Sequence, residues 1–330
     1  MVYGALIWMI IMFGVSCNNE IDITGEYKDT PIVYGILDPT DAVHYIRIQK
    51  AFLVDGNVLQ TVKVGDSLTY DPSDLQVSIF PILKNGELNG SPIPFTHQPN
   101  ATTDTGLFAP QGVMIYTSTA GLTSPYYKLV ITNTKLGRQI TSKTIMTNKV
   151  EWMKPSFGSV HLVGVEPYEM QWSLDTATAT IYQPEMKFYW TEVDLVTGNT
   201  LLDSVVWDFI QLYPSAIDIK NNFMKLKLEF FAFYAYLKKK VPVKPHVKRI
   251  IGPLTFSIYT APSDFDRYIQ ANKPVVGLIQ DKPDFTNIEG GFGLFSSRNK
   301  SIKANVPLTP LSKDSLEFGQ FTKHLGFKKN

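Results

Sequence analysis

The single cysteine, Cys17, does most to narrow the folds open to this chain. One thiol can form no internal disulfide and no zinc site that needs several thiolates. The fold must therefore rest on burial of apolar surface alone. At 330 residues the chain has room for about two domains, each large enough to build a core without covalent staples. Twenty Phe, 16 Tyr and 21 Pro favour strands and turns. The expectation is a mainly β protein of two β-sandwich-like domains. Lys plus Arg at 31 against Asp plus Glu at 30 leaves a net charge of +1, so no global field draws nucleic acid. The five histidines lie far apart in sequence, and neither a metal nor a cofactor is expected.

Cys17 closes an apolar run, W-M-I-I-M-F-G-V-S-C, and is followed by the polar N-N-E-I-D. Ala5–Val15 is apolar apart from Gly14, the size of a signal-peptide core and shorter than the ~20 residues of a membrane-spanning helix. The small Ser16 before the thiol resembles a bacterial lipoprotein lipobox. Gly14 stands where that box usually has Leu, and Met1–Ile7 carries no Lys or Arg. A plain signal peptide and a buried, idle cysteine are the alternatives. The resemblance implies a signal over residues 1–16, lipidation at Cys17, and a lipidated tether over residues 17–29. It also implies an outer-membrane address in which the lipid is the membrane contact.

Residues 30–149 read as a first, immunoglobulin-like sandwich. In Val43–Phe52, His44, Ile46 and Ile48 share one face while Tyr45, Arg47 and Gln49 share the other, the period of a half-buried strand. That places His44 at a strand edge. Ile32–Leu37, Leu75–Leu83, Gly112–Ser118, Tyr126–Thr134 and Arg138–Thr147 are further strands. Asn85-Gly86 and Leu136-Gly137 mark tight turns between them. Asp66, Asp71 and Asp74 surround Pro72 without an EF-hand pattern, which reads as loop solvation.

Trp152–Pro155 opens the second body, residues 150–330, expected to be fibronectin type III-like. Met170 and Trp172 alternate onto one face, as do Met186, Phe188 and Trp190. Thr197-Gly198-Asn199 turns the chain into Leu201–Phe209. Lys220–Lys240 is long and free of Gly and Pro, with Phe223, Leu226, Phe230, Tyr234 and Leu237 at helical spacing. It is expected as one long inserted helix, against a competing strand reading of Met224–Phe230. Its aromatic stripe would pack on an open end of the sandwich or meet a partner or membrane surface. Leu254–Thr260 and Val275–Ile279 are expected strands. Pro262–Ala271 is expected as a short helix capped by Ser263. Gly290-Gly291-Phe292-Gly293 lacks the Lys-Ser/Thr of a phosphate loop and marks a bulge or close backbone approach.

The order of these pieces resembles an uncharacterised family of Bacteroidota cell-surface lipoproteins. It is carried by P-I-V-Y-G-I-L-D, by H-Y-I-R-I-Q-K-A-F, and by F-T-N-I-E-G-G-F-G-L-F over Phe285–Phe295. The resemblance implies an envelope protein whose genes often neighbour TonB-dependent receptors, so such a receptor is an expected partner. It implies no site residue beyond Cys17.

One pair suits acid–base work. Glu192 and Asp194 lie two apart on a strand, roughly 7 Å from each other, a separation found in inverting glycosidases. A working pair faces across a cleft from different elements, whereas these two precede a turn. No catalytic residue is therefore expected. A non-enzymatic binding or accessory lipoprotein is the leading reading, ahead of an adhesive module pairing through strand edges and a glycan-processing enzyme.

Overall fold

The structure, a computed structural model, describes residues 30–50, 69–99, 114–156, 158–164, 166–273 and 284–329. Cys17, the signal, the tether, Asp66 and the expected strand Val275–Ile279 lie outside them. The chain is mainly β, as expected, and its strands form several sheets.

The strands of the first part are β1 (Pro31–Leu37), β2 (His44–Lys50), β3 (Leu75–Pro81) and β4 (Ile93–His97). They continue with β5 (Met114–Ser118), β6 (Tyr126–Asn133) and β7 (Arg138–Ile145). Then come β8 (Trp152–Lys154), β9 (Tyr168–Ser173), β10 (Ile181–Asp194), β11 (Thr200–Asp208), α1 (Ala216–Asn221), β12 (Phe223–Leu228) and α2 (Phe230–Lys240). The chain ends with β13 (Val247–Ala261), α3 (Ser263–Asn272), β14 (Phe292–Ser297), β15 (Asn299–Val306), α4 (Pro310–Phe318) and β16 (Phe327–Lys328).

Alternation sets the faces. On β2, His44, Ile46 and Ile48 are buried while Tyr45 and Arg47 face out. His44 Nε2 lies 3.1 Å from the Ala120 carbonyl. Gly137 takes positive φ in the turn from β6 to β7, as Gly198 does in the turn from β10 to β11. Asp71 accepts hydrogen bonds from the Ser73 N–H and hydroxyl, a local turn in place of a metal ligand. Among the described residues no cluster of His, Cys, Asp and Glu could hold a metal ion.

The expected division at residues 149 and 150 is crossed by one strand. Eight strands form one sheet in the order β14-β1-β2-β5-β4-β3-β6-β7, and β14 pairs parallel with β1. The sheet curls until its ends meet: Thr141 of β7 and Glu289 exchange both backbone hydrogen bonds, at 3.1 and 2.8 Å. Asn287 clamps β14 by accepting from the Phe295 N–H at 2.9 Å and donating to the Phe295 carbonyl at 2.7 Å. F-T-N-I-E-G-G-F-G-L-F is thus the closing seam of the first body. Gly293 sits at φ +115°, and a Cβ there would lie 2.0 Å from the Val33 carbonyl oxygen. Only glycine fits both the conformation and the space.

The second body holds a five-stranded sheet, β11-β10-β13-β15 with β16 beside β13, and a three-stranded sheet, β12-β9-β8. Met170, Trp172, Phe188, Trp190, Phe233 and Leu237 fill the core between them and α2, each contributing about 1.5–3 kcal/mol by leaving water. Arg298 joins the two bodies. It donates to Asp38 at 2.9 Å and to Asp41 at 3.3 Å, and its guanidinium lies over Tyr259.

Two expectations are corrected. Lys220–Lys240 is not one helix: Lys220 and Asn221 end α1, Phe223–Leu228 is a strand paired with β9, and Phe230–Lys240 is a separate helix. The β9 edge offers ladder bonds that M-K-L-K-L can accept with Met224 and Leu228 turned inward, so pairing outweighs propensity. Ser263 is the first helical residue of α3 and does not cap it; Pro262 holds the cap position without a side-chain bond.

Candidate functional site

The carboxylates singled out by spacing have separate structural duties. Glu192 is buried on β10. Its Oε1 accepts from Arg249 Nε at 2.9 Å and its Oε2 from Lys244 Nζ at 2.6 Å. Arg249 is fully buried, donates to the Pro242 carbonyl at 2.9 Å and to the Leu325 carbonyl, and stands over the Phe327 ring. Burial pushes the Glu192 carboxyl up, but Lys244 and Arg249 outweigh it and hold the group below its ordinary value. Asp194 accepts from the backbone N–H groups of Val196 and Thr197, each at 2.8 Å, which lowers its pKa and fixes the turn. The two acids are thus divided between a buried ion cluster and a turn.

A cleft forms elsewhere on the second body, where β12, β9 and β8 meet the helices. Alternation on β12 buries Met224 and Leu228 and leaves Lys225 and Lys227 exposed. Cross-strand pairing sets Lys227 opposite Glu169 and Lys225 opposite Gln171. Three ammonium groups, from Lys154, Lys225 and Lys227, surround the single Glu169 carboxylate at 3.5–3.8 Å. Partial desolvation acts to raise the Glu169 pKa, and the three lysines lower it on balance. Lys154, Lys227 and Glu169 line a cavity of about 630 Å³ together with His161, Glu166 and Tyr168, and Lys225 adds a third positive charge beside Glu169.

Val163 and Gly164 lead from this hollow into a second one of about 250 Å³. Its walls are Phe230, Phe231 and Tyr234 from α2, and Gly319 and Phe321 after α4. Tyr234 donates to the Ser312 carbonyl at 3.2 Å, and burial pushes its hydroxyl up to about 12. It is a fixed neutral wall. A hollow lined by two lysines and two glutamates thus runs into an aromatic one; with Lys225 beside Glu169 the lysines outnumber the acids by one, a layout suited to an anionic group joined to an apolar body. Reading Lys220–Lys240 as one helix scatters Lys225 and Lys227 around an axis. The alternating strand reading of Met224–Phe230 is the signal that places them together.

No family model matches the chain, and no curated protein matches it either. Among solved structures, the crystal structure of CBD12 from CALX1.2 aligns over 82% of this chain and 100% of that one, at 10% identity and a TM-score of 0.15. A likeness that slight carries no argument. Among the described residues no helix is long and apolar enough to cross a membrane.

Proposed function

We propose that this chain is a non-enzymatic envelope lipoprotein, anchored through Cys17, that binds an anion with an apolar or aromatic body. It would act as an accessory module beside an envelope transporter such as a TonB-dependent receptor. The observation that carries the binding function is the joined cleft, with Lys154 and Lys227 at one end, Lys225 behind them on Glu169, and Phe230 and Phe231 at the other end. The immunoglobulin-like and fibronectin type III-like descriptions of the two bodies belong to the same proposal, supported by the predominance of antiparallel pairing in both.

The edge of β11 favours this reading over assembly through strand edges. The Ser204 N–H is taken by the Asp203 carboxylate at 2.7 Å, and the Val206 carbonyl by the Tyr236 hydroxyl. Side chains thus occupy backbone groups that a neighbouring strand would need.

The aromatic anion 8-anilinonaphthalene-1-sulfonate tests the cleft by fluorescence titration. Saturable binding should weaken about tenfold or more in Lys154→Glu/Lys227→Glu, from the lost and reversed charge–anion contacts. Phe231→Ala should weaken both this probe and the neutral N-phenyl-1-naphthylamine, which the lysine variant should bind as before. Equal binding of the anion by all three proteins rejects the cleft. For the anchor, radiolabelled palmitate should enter the wild-type protein and not Cys17→Ser; label in both would reject lipidation at this residue.

A further inference from the structure

The turn between β10 and β11 carries an apolar tip that the cleft does not use. Leu195, Val196, Leu201 and Leu202 are 63–75% exposed there. The pairing of Glu192 with Leu201 and of Val193 with Thr200 puts Leu195 and Val196 at the same end of the hairpin as Leu201 and Leu202. The Leu195 N–H donates to the His246 carbonyl at 2.7 Å, which draws in the loop after α2 and with it Val243, also 63% exposed. Five apolar side chains thus project at one end of the sheet, where an isolated soluble surface normally scatters them.

Lysines are carried on the segments that pack toward this end of the sheet. Lys248 pairs with Val193, two residues before Leu195. Lys238, Lys239 and Lys240 are exposed at the end of α2, shortly before Pro242, whose carbonyl is bonded to Arg249 beside Glu192. Exposed Lys323 lies just ahead of Leu325 and Gly326, which bond to that same Arg249. The acids nearby are engaged: Glu192 by Arg249 and Lys244, Asp194 by its own turn, and Asp203, next to Leu202, by the Ser204 N–H. With five lysines (Lys238, Lys239, Lys240, Lys248 and Lys323) on the segments beside it against Asp194 and Asp203, the leucine and valine tip fits an interface that is apolar within and negative at its surface.

We infer that the β10–β11 tip is a contact for an anionic lipid bilayer: Leu195, Val196, Leu201 and Leu202 enter the headgroup boundary and the lysines pair with lipid phosphates. Burial of apolar area and attraction to anionic headgroups add in such contacts, each lysine near the surface contributing about fivefold in partitioning. The contact is independent of the cleft and of lipidation at Cys17. Apolar side chains of the same exposure occur at the other end of β11, Ile210 at 76% among them, at the end of the strand away from Lys248.

The test uses the full chain on a Cys17→Ser background, with bimane on Val196→Cys or, for comparison, on Ile210→Cys. Vesicles are phosphatidylcholine alone or with one-third phosphatidylglycerol. The inference expects a blue shift of the Val196 label on the anionic vesicles only, reversed by 0.5 M salt because screening removes the electrostatic part, with the Ile210 label unmoved. Adding Lys238→Ala, Lys239→Ala and Lys240→Ala should weaken the response about a hundredfold. These are exposed positions, and an unchanged circular dichroism spectrum shows the variant folded. A Val196 label that stays in water, a shift equal on neutral vesicles, or equal shifts at both labels overturns the inference. Retention by a protein partner with no shift on vesicles would assign the tip to that partner and overturn it too.

Discussion

Glu192→Ala is expected to destabilise the folded chain by about 3–5 kcal/mol, the usual cost of leaving a buried charge without its partner. Arg249 has no exposed surface, so its guanidinium cannot turn to water when the carboxylate is gone. Replacing both, as Glu192→Leu/Arg249→Met, should recover much of the loss, because the pair's attraction is largely offset by its own desolvation. Urea midpoints for the three proteins check this; a single variant as stable as wild type would remove the cluster from the core's energetics.

The acid response follows from the same pair. Folding holds the Glu192 carboxyl below its ordinary value near 4.5, so the folded state binds fewer protons than the unfolded one as pH falls. Its stabilisation is fully present above that ordinary value and is lost as pH drops through the lowered folded one. Stability measured from pH 6 to pH 3 should fall less steeply in Glu192→Ala than in wild type.

Gly293→Ala is the second large effect. A methyl 2.0 Å from the Val33 carbonyl oxygen cannot be housed without separating β1 from β14, and φ of +115° penalises any side chain as well. About 3 kcal/mol or more is expected from the two combined. Gly137→Ala isolates the second cause, since Gly137 has φ +60° and nothing within 4 Å of an added Cβ. It should cost only about 1 kcal/mol. Amide exchange should show β1 losing protection in the first variant and keeping it in the second. Equal losses would mean that β1 and β14 are not as tightly joined as described.

Much of this architecture was legible in the residues. Alternation gave the buried faces of β2 and β9, because which way a strand side chain points is set locally. Asn-Gly and Thr-Gly-Asn gave the turns for the same reason. Alternation says nothing of partners, which is why the parallel pairing of Phe292–Ser297 with β1 had no signature beyond glycines that imply a close neighbour. Lys220–Lys240 failed for another reason: it joins a period-2 half to a period-3.6 half, and one window over both averages them into a helix. Glu192 shows a third limit. Its spacing from Asp194 suggested chemistry, while the residues that define its role lie 52 and 57 positions away in sequence. The cleft inherited the helix error, since Lys225 and Lys227 point together only on a strand.

The seam at Phe285–Phe295 also bears on how the molecule is made. A ribosome or export channel delivers β1 first and β14 only after about 250 residues more, so the first body cannot close until β14 has emerged. Until then β1 has an uncovered edge and the nascent polypeptide remains threadable. Phe285–Phe295 therefore acts as a latch, engaged only once the long stretch between it and β1 has arrived.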